Sequence, residues 1–188
     1  MESNEAKLRH IPGKNDIFFF VDSDNLDNDI KFIKSEKIEN IALNPFYGYK
    51  IDNINWLSEV PLIKKAEFGG CYNINFDGLK FLTNLEHLTF FAMKNQGVDF
   101  YNLKKLTHLC FQFNKNMRGL EDLKLLESLV ISKGETFFFN DQIFKNYSRL
   151  KILSIADSKL SESLRFLRNL HSLKHLELNY IKSKNQFK

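Results

Sequence analysis

Residues 106–126, LTHLCFQFNKNMRGLEDLKLL, set the pattern that the rest of the chain follows. Leu109 and Phe111 alternate with His108, Cys110 and Gln112, as on a short strand whose two faces differ. Asn114 then marks a turn, where a side-chain amide satisfies backbone groups that the turn leaves open. Met117, Leu120 and Leu123 recur every third residue and predict a return along the far side as helix, 3₁₀ turn or loop. A unit of this size has one apolar face and nothing of its own to bury it against. It therefore predicts neighbours of the same kind stacked on either side.

The same core recurs along the chain. Before it come Ile38, Ile41, Leu43; Ile63, Ala66, Phe68; and Leu85, Leu88, Phe90. After it come Leu126, Leu129, Ile131; Leu150, Leu153, Ile155; and Leu173, Leu176, Leu178. Successive starts differ by 25, 22, 21, 20, 24 and 23 residues. A chance match to one such pattern is cheap; seven at near-constant period are not. The return segments vary more. Asp77-Gly78-Leu79 and Arg118-Gly119-Leu120 look alike, and Phe100 with Leu103 is a third version. The longer segment after Ile131 carries Phe137–Phe139, Ile143 and Phe144, which suggest a helix. Ser161–Ser163 supply a cap before the apolar face of Leu164, Phe166, Leu167 and Leu170.

Residues 1–16 read as a flexible or loosely docked lead-in. Ile17–Val21, IFFFV, reads as a buried strand, and Asp22–Asp29 is an acidic turn region. Asp27 or Asn28 caps a short helix whose apolar side is Ile30, Ile33 and Phe32. One domain is expected: lead-in and N-terminal cap over 1–37, repeats over 38–181, and a frayed tail over 182–188.

With 43% hydrophobic and 27% charged residues, the composition is that of a globular domain. The 19 Phe predict a core built of rings as much as of Leu. The net charge of +4 is spread along the chain and points to neither nucleic acid nor a membrane as partner. No apolar run approaches the roughly 18 residues of a membrane span. The opening MESNEAKLRHIPGKND lacks the apolar run of a signal peptide. Cys71 and Cys110 have no metal-type spacing, and about two strand spacings, some 9–10 Å, separate them, beyond the roughly 7 Å reach of a disulfide. A cytoplasmic protein is the expectation.

These residues and spacings resemble the leucine-rich repeat proteins, in the short bacterial or protein-phosphatase-regulator form whose repeats run near 22 residues. The resemblance implies an α/β fold: a right-handed solenoid of about seven irregular repeats, with a parallel sheet on its concave face, that binds another protein there. The departure lies at the ninth repeat position, where the family has Asn or Cys and this chain has Phe46, Cys71, Met93, Asn114, Gly134, Ser158 and Ile181. Turns that rely on apolar packing are expected in place of an Asn ladder.

Period two assigns the concave columns. The third repeat position carries Asn40, Lys65, His87, His108, Ser128, Ile152 and His175. The fifth carries Ala42, Glu67, Thr89, Cys110, Val130, Ser154 and Glu177. The seventh carries Asn44, Gly69, Phe91, Gln112, Ser132, Ala156 and Asn179. The candidate partner surface centres on His87, Phe91, His108, Cys110, Gln112 and Phe113. Phe91 and Phe113 are its anchors, the two histidines gain charge near pH 6.5, and Lys65, Glu67, His175 and Glu177 form a polar rim.

Catalytic chemistry finds little support. His87, His108 and Cys110 are zinc-type ligands without a fourth, so no metal or cofactor is expected. Phe18–Asp24 resembles the first motif of the haloacid-dehalogenase phosphatases and, with Asn25, the start of metal-dependent nuclease domains. Both would need further acids and a Lys, whereas the residues that follow belong to repeats. A phosphatase or nuclease using Asp22 and Asp24 is therefore the remote alternative. A non-catalytic protein-binding module is expected, as an inhibitor or immunity protein covering a toxin or other enzyme, with an adaptor or regulatory subunit as the alternative.

Overall fold

The computed structural model describes residues 4–91, 96–135, 138–160 and 164–182. In chain order its strands are β1 (Leu8–His10), β2 (Ile17–Phe20), β3 (Asn40–Leu43), β4 (Lys65–Phe68), β5 (His87–Phe90) and β6 (Val98–Asp99). They continue with β7 (His108–Gln112), β8 (Met117–Arg118), β9 (Ser128–Ser132), β10 (Ile152–Ala156) and β11 (His175–Asn179). Nine of them form one sheet, ordered β1-β2-β3-β4-β5-β7-β9-β10-β11. From β2 onward every pairing is parallel. All seven repeat cores thus become strands, and in register: Ile41, Ala66, Leu88, Leu109, Leu129, Leu153 and Leu176 stand side by side. Apart from Leu176, these residues are at most 1% exposed, which gives one continuous buried ladder.

The return path is mostly 3₁₀, at Asn55–Glu59, Asp77–Phe81, Leu120–Asp122 and Arg165–Asn169. The expected helix after Ile131 is a single turn, Asp141–Phe144. Phe137, Met93, the Ser161–Ser163 cap and the tail beyond Lys182 lie outside the described residues. On the far side β6 and β8 pair in a second parallel sheet. At the ninth position Asn114 accepts the Asn116 N–H at 2.9 Å and Ser158 Oγ the Gly134 N–H at 2.8 Å, so these turns do not rest on apolar packing alone. Asn53, Asn75 and Asp99 each accept, at 3.2, 2.7 and 2.8 Å, the backbone N–H two residues ahead. These side chains do at the start of each return what an Asn ladder does after the strand. Gly78 recurs for a packing reason, since a Cβ there would sit 2.1 Å from the Ile54 carbonyl oxygen of the preceding repeat. Gly119 is needed for its left-handed φ of +79°.

Phenylalanines do link the repeats through the interior. Phe68, Phe76, Phe90 and Phe111 make successive ring contacts, and Phe113, Phe138, Phe144 and Phe166 form a second run.

The N-terminal end is closed. α1 (Leu26–Ser35) starts from Asn25, ahead of the Asp27 or Asn28 cap expected from sequence, and Asp27 falls in its first turn, where the helix dipole favours an acid. Ile30 and Ile33 are buried, and Phe32 stacks on Phe19 at 5.4 Å. Over residues 4–16 the lead-in, expected as flexible or loosely docked, is docked. β1 pairs antiparallel with β2, and Lys7, 4% exposed, donates to Asp29, which is fully buried, at 2.7 Å. Asp29 also accepts from the Asp22 N–H at 2.8 Å. This wrapping explains the unbroken IFFFV run. Phe19 and Val21 face the main core, while Phe18 and Phe20 face the opposite side and are covered by Ile11 and Ala42.

Candidate functional site

The third- and fifth-position columns pair as period two places them: Lys65 with His87, His87 with His108 and His108 with Ser128, and Ala42 with Glu67, Glu67 with Thr89 and Thr89 with Cys110. Their exposure is graded along the sheet. In the fifth-position column, Ala42 and Glu67 are buried, Thr89, Cys110, Val130 and Ser154 half-buried, and Glu177 exposed.

The gradient has a cause that local sequence does not carry. The β1–β2 loop lies over the sheet's N-terminal half, where Lys14 pairs with Glu67 and Asp16 with Lys65 at 2.6 Å. Glu67, 8% exposed, also accepts from Thr89 Oγ1 at 3.0 Å. Lys65 and Glu67 are therefore tied into the protein's own N-terminal loop instead of forming a free rim. His175 and Glu177 are exposed on β11, and Glu177 accepts from Asn179 Nδ2 at 2.8 Å and Ser154 Oγ at 2.9 Å. Those two hydrogen bonds hold its carboxyl below the usual range.

His87 and His108 stack face to face, 4.0 Å between ring centres and 26° between planes. Burial, then the neighbouring His108 and Lys65, push His87 down to about 4. His108 is also lowered, mainly by burial, with Glu127 opposing. The pair is therefore neutral at pH 7 and offers hydrogen bonds instead of the charge expected near pH 6.5. Together with Lys14, Glu67, Thr89 and Cys110 it lines a recess of about 190 Å³. Cys110 is half-buried, and burial raises its thiol. Cys71, buried, donates to the Leu43 carbonyl at 3.3 Å, and both thiols are free.

Phe91, one residue beyond β5, and Gln112, the last of β7, are half-buried and belong to the surface. Phe113 does not. It is 7% exposed, with its ring 4.9 Å from Phe138, so it is a core side chain and not a partner anchor. Further along, Ser128, Val130 and Ser154 are half-buried and Ile152, His175 and Glu177 are exposed; sequence reasoning placed Ser128, Val130, Ile152 and Ser154 in the columns without singling them out. Ile152 is 41% exposed, an apolar side chain facing outward on the sheet.

Asp22 and Asp24 form a turn. Asp22 accepts the Asp24 N–H at 3.0 Å, and Asp24 pairs with Lys50 at 2.7 Å. Among the described residues no three His, Cys, Asp or Glu side chains group as metal ligands, and no helix is long and apolar enough to cross a membrane.

The chain has the fold of a leucine-rich repeat solenoid, with its parallel sheet, short returns and capped N-terminal end. Solved structures agree. It is similar to internalin C2 of Listeria monocytogenes, with a TM-score of 0.59 at 19% identity, over 76% of this chain and 62% of that one. It is also similar to an internalin (inlF) of the same organism, with a TM-score of 0.54 at 15% identity, over 90% of this chain and 55% of that one. The chain thus spans less than two thirds of either internalin's length. No protein-family model and no curated protein matches the sequence.

Proposed function

We propose that this chain is a non-catalytic module that binds another protein on its concave sheet, over the half that the N-terminal loop leaves open. The observation that carries the reading is the gradient of exposure across one regular sheet. Its closed half is filled by the chain itself, while its open half presents Phe91, Gln112, Val130 and Ile152 beside a neutral histidine pair. Large rigid groups with few unpaired charges are what a partner can desolvate at small cost. Within this reading the chain acts as an inhibitor or immunity protein that covers the active site of a toxin or other enzyme. Suppression of the captured partner's activity on mixing supports that role; undiminished activity in the complex points to an adaptor.

The binding claim is tested with the partner captured from the native cell. Phe91→Ala or His108→Ala weakens the complex at least tenfold, about 1.4 kcal/mol, without lowering the melting temperature. Lys80→Ala and Lys124→Ala, on the far side, leave it unchanged. The opposite pattern overturns the assignment of the face.

A further inference from the structure

A second recess, of about 560 Å³, opens at the carboxyl ends of β7, β9 and β10, meeting the concave columns only at Gln112. It arises from a change in how the chain leaves its strands. After β9 and β10 the chain turns through left-handed residues, Lys133 at φ 56° and Asp157 at φ 44°. These two turns stack: Lys133 N–H donates to the Ala156 carbonyl at 3.0 Å, and Lys159 N–H to the Gly134 carbonyl at 2.8 Å. Gly134 N–H completes the stack by donating to Ser158 Oγ at 2.8 Å. After β7 there is no such turn. Phe113 N–H donates to the Ser132 carbonyl at 2.8 Å and its ring goes inward, so the floor beside the stacked turns is apolar.

Four lysines and two acids line the recess: Lys115, Lys133, Lys159 and Lys182 against Glu135 and Asp157. Lys159 pairs with Glu135 at 3.3 Å, and Lys182 with Asp157 at 3.1 Å. Among the described residues neither Lys115 nor Lys133 has an acidic partner, so the recess carries two uncompensated positive charges beside an apolar floor.

We propose that this recess docks an acidic segment of a protein, with carboxylates at Lys115 and Lys133 and an apolar side chain on the floor between them. Nucleic acid fits less well. Glu135 and Asp157 oppose phosphates, and the lining holds a single aromatic ring, Phe113, where successive bases would need several to stack on. The volume lies within the range of about 300–1,000 Å³ typical of small sites, enough for a few side chains of a short segment. The identity of the occupant as a protein rests on the binding reading above; the recess itself stands apart from the concave face.

The test uses a fluorescent octapeptide of alternating glutamate and leucine, followed by anisotropy, with an oligouridylate as a second probe. Saturable peptide binding is expected to weaken at least tenfold in the double variant Lys115→Glu, Lys133→Glu. Lys80→Glu with Lys124→Glu, which alters net charge equally on the far side, leaves it unchanged. Should the reversed pair lower the melting temperature, Lys115→Met with Lys133→Met takes its place. Equal loss from both double variants, no saturable peptide binding, or tighter binding of the oligouridylate overturns the proposal. His108→Ala separates the two claims: it leaves peptide binding intact while weakening the natural complex. Loss of peptide binding in His108→Ala also counts against a separate site.

Discussion

Leu109 and Leu176 occupy the same inward column of the sheet, three strands apart, yet Leu109 is 1% exposed and Leu176 40%. The two ends of the solenoid differ in the same way. At the N-terminal end, α1, β1 and the β1–β2 loop cover both faces of β2 and seal Lys7 and Asp29 away from water. At the other end, among the described residues, nothing lies across β11, where Leu178 is 37% exposed and Tyr180 86%. The contrast shows that a repeat strand is buried by its neighbours and not by its own sequence. It also shows that the N-terminal segment which stabilises the first strands covers part of the concave surface, at Lys65 and Glu67.

The largest expected effect lies at the sealed end. Lys7→Ala leaves the fully buried Asp29 without its counter-charge and should cost about 3–5 kcal/mol in urea denaturation. A loss below about 1 kcal/mol, the level of exposed pairs, would show that water reaches Asp29 and that the seal is loose. The matched truncations come next. Leu109→Ala should cost about 2–5 kcal/mol, the range for core leucines, and Leu176→Ala clearly less. Equal losses would mean that something covers β11 in solution, and the contrast between the ends would fail.

The histidine pair, at the border of the two halves, predicts a smaller, pH-dependent effect. Because His87 is pushed down to about 4 from the ordinary 6.5, the unfolded chain binds a proton that the folded chain refuses between those values. Stability is therefore highest above about pH 6.5 and declines as the pH falls toward about 4. The sign is the reverse of that for a histidine with a carboxylate partner. Melting temperatures recorded from pH 7.5 to 4.5 should fall for the natural protein and fall less for His87→Asn. Parallel curves would place the acid sensitivity elsewhere, for example at His108, which burial also lowers from the ordinary 6.5.

What could be seen in the sequence follows from which interactions are local. The seven strands and their register were legible because each repeat writes the same alternation again, from Ile41 to Leu176. Phe113 was misplaced as a surface anchor although it extends the alternation of Leu109 and Phe111 one step past β7, and that alternation, carried on, puts it inside. The Asn53, Asn75 and Asp99 turns sit one repeat apart, but the expectation of apolar turns passed over them. The N-terminal loop was not legible. Lys14 meets Glu67 across 53 residues and Asp16 meets Lys65 across 49, with no pattern in either segment to announce the other. The lysine recess was hidden for a similar reason, since its charges come one per repeat and their partners are fixed by the stacking of turns.

The central claim, that the open half of the concave sheet is where a partner sits, is most directly tested by photo-cross-linking in the native cell. A benzophenone amino acid is placed at Ser154, on the concave side, or at Lys124, on the far side, in two otherwise identical proteins. The account predicts a discrete cross-linked partner from Ser154, lost when His108→Ala is added, and none from Lys124. A partner captured from Lys124 but not from Ser154 would contradict it.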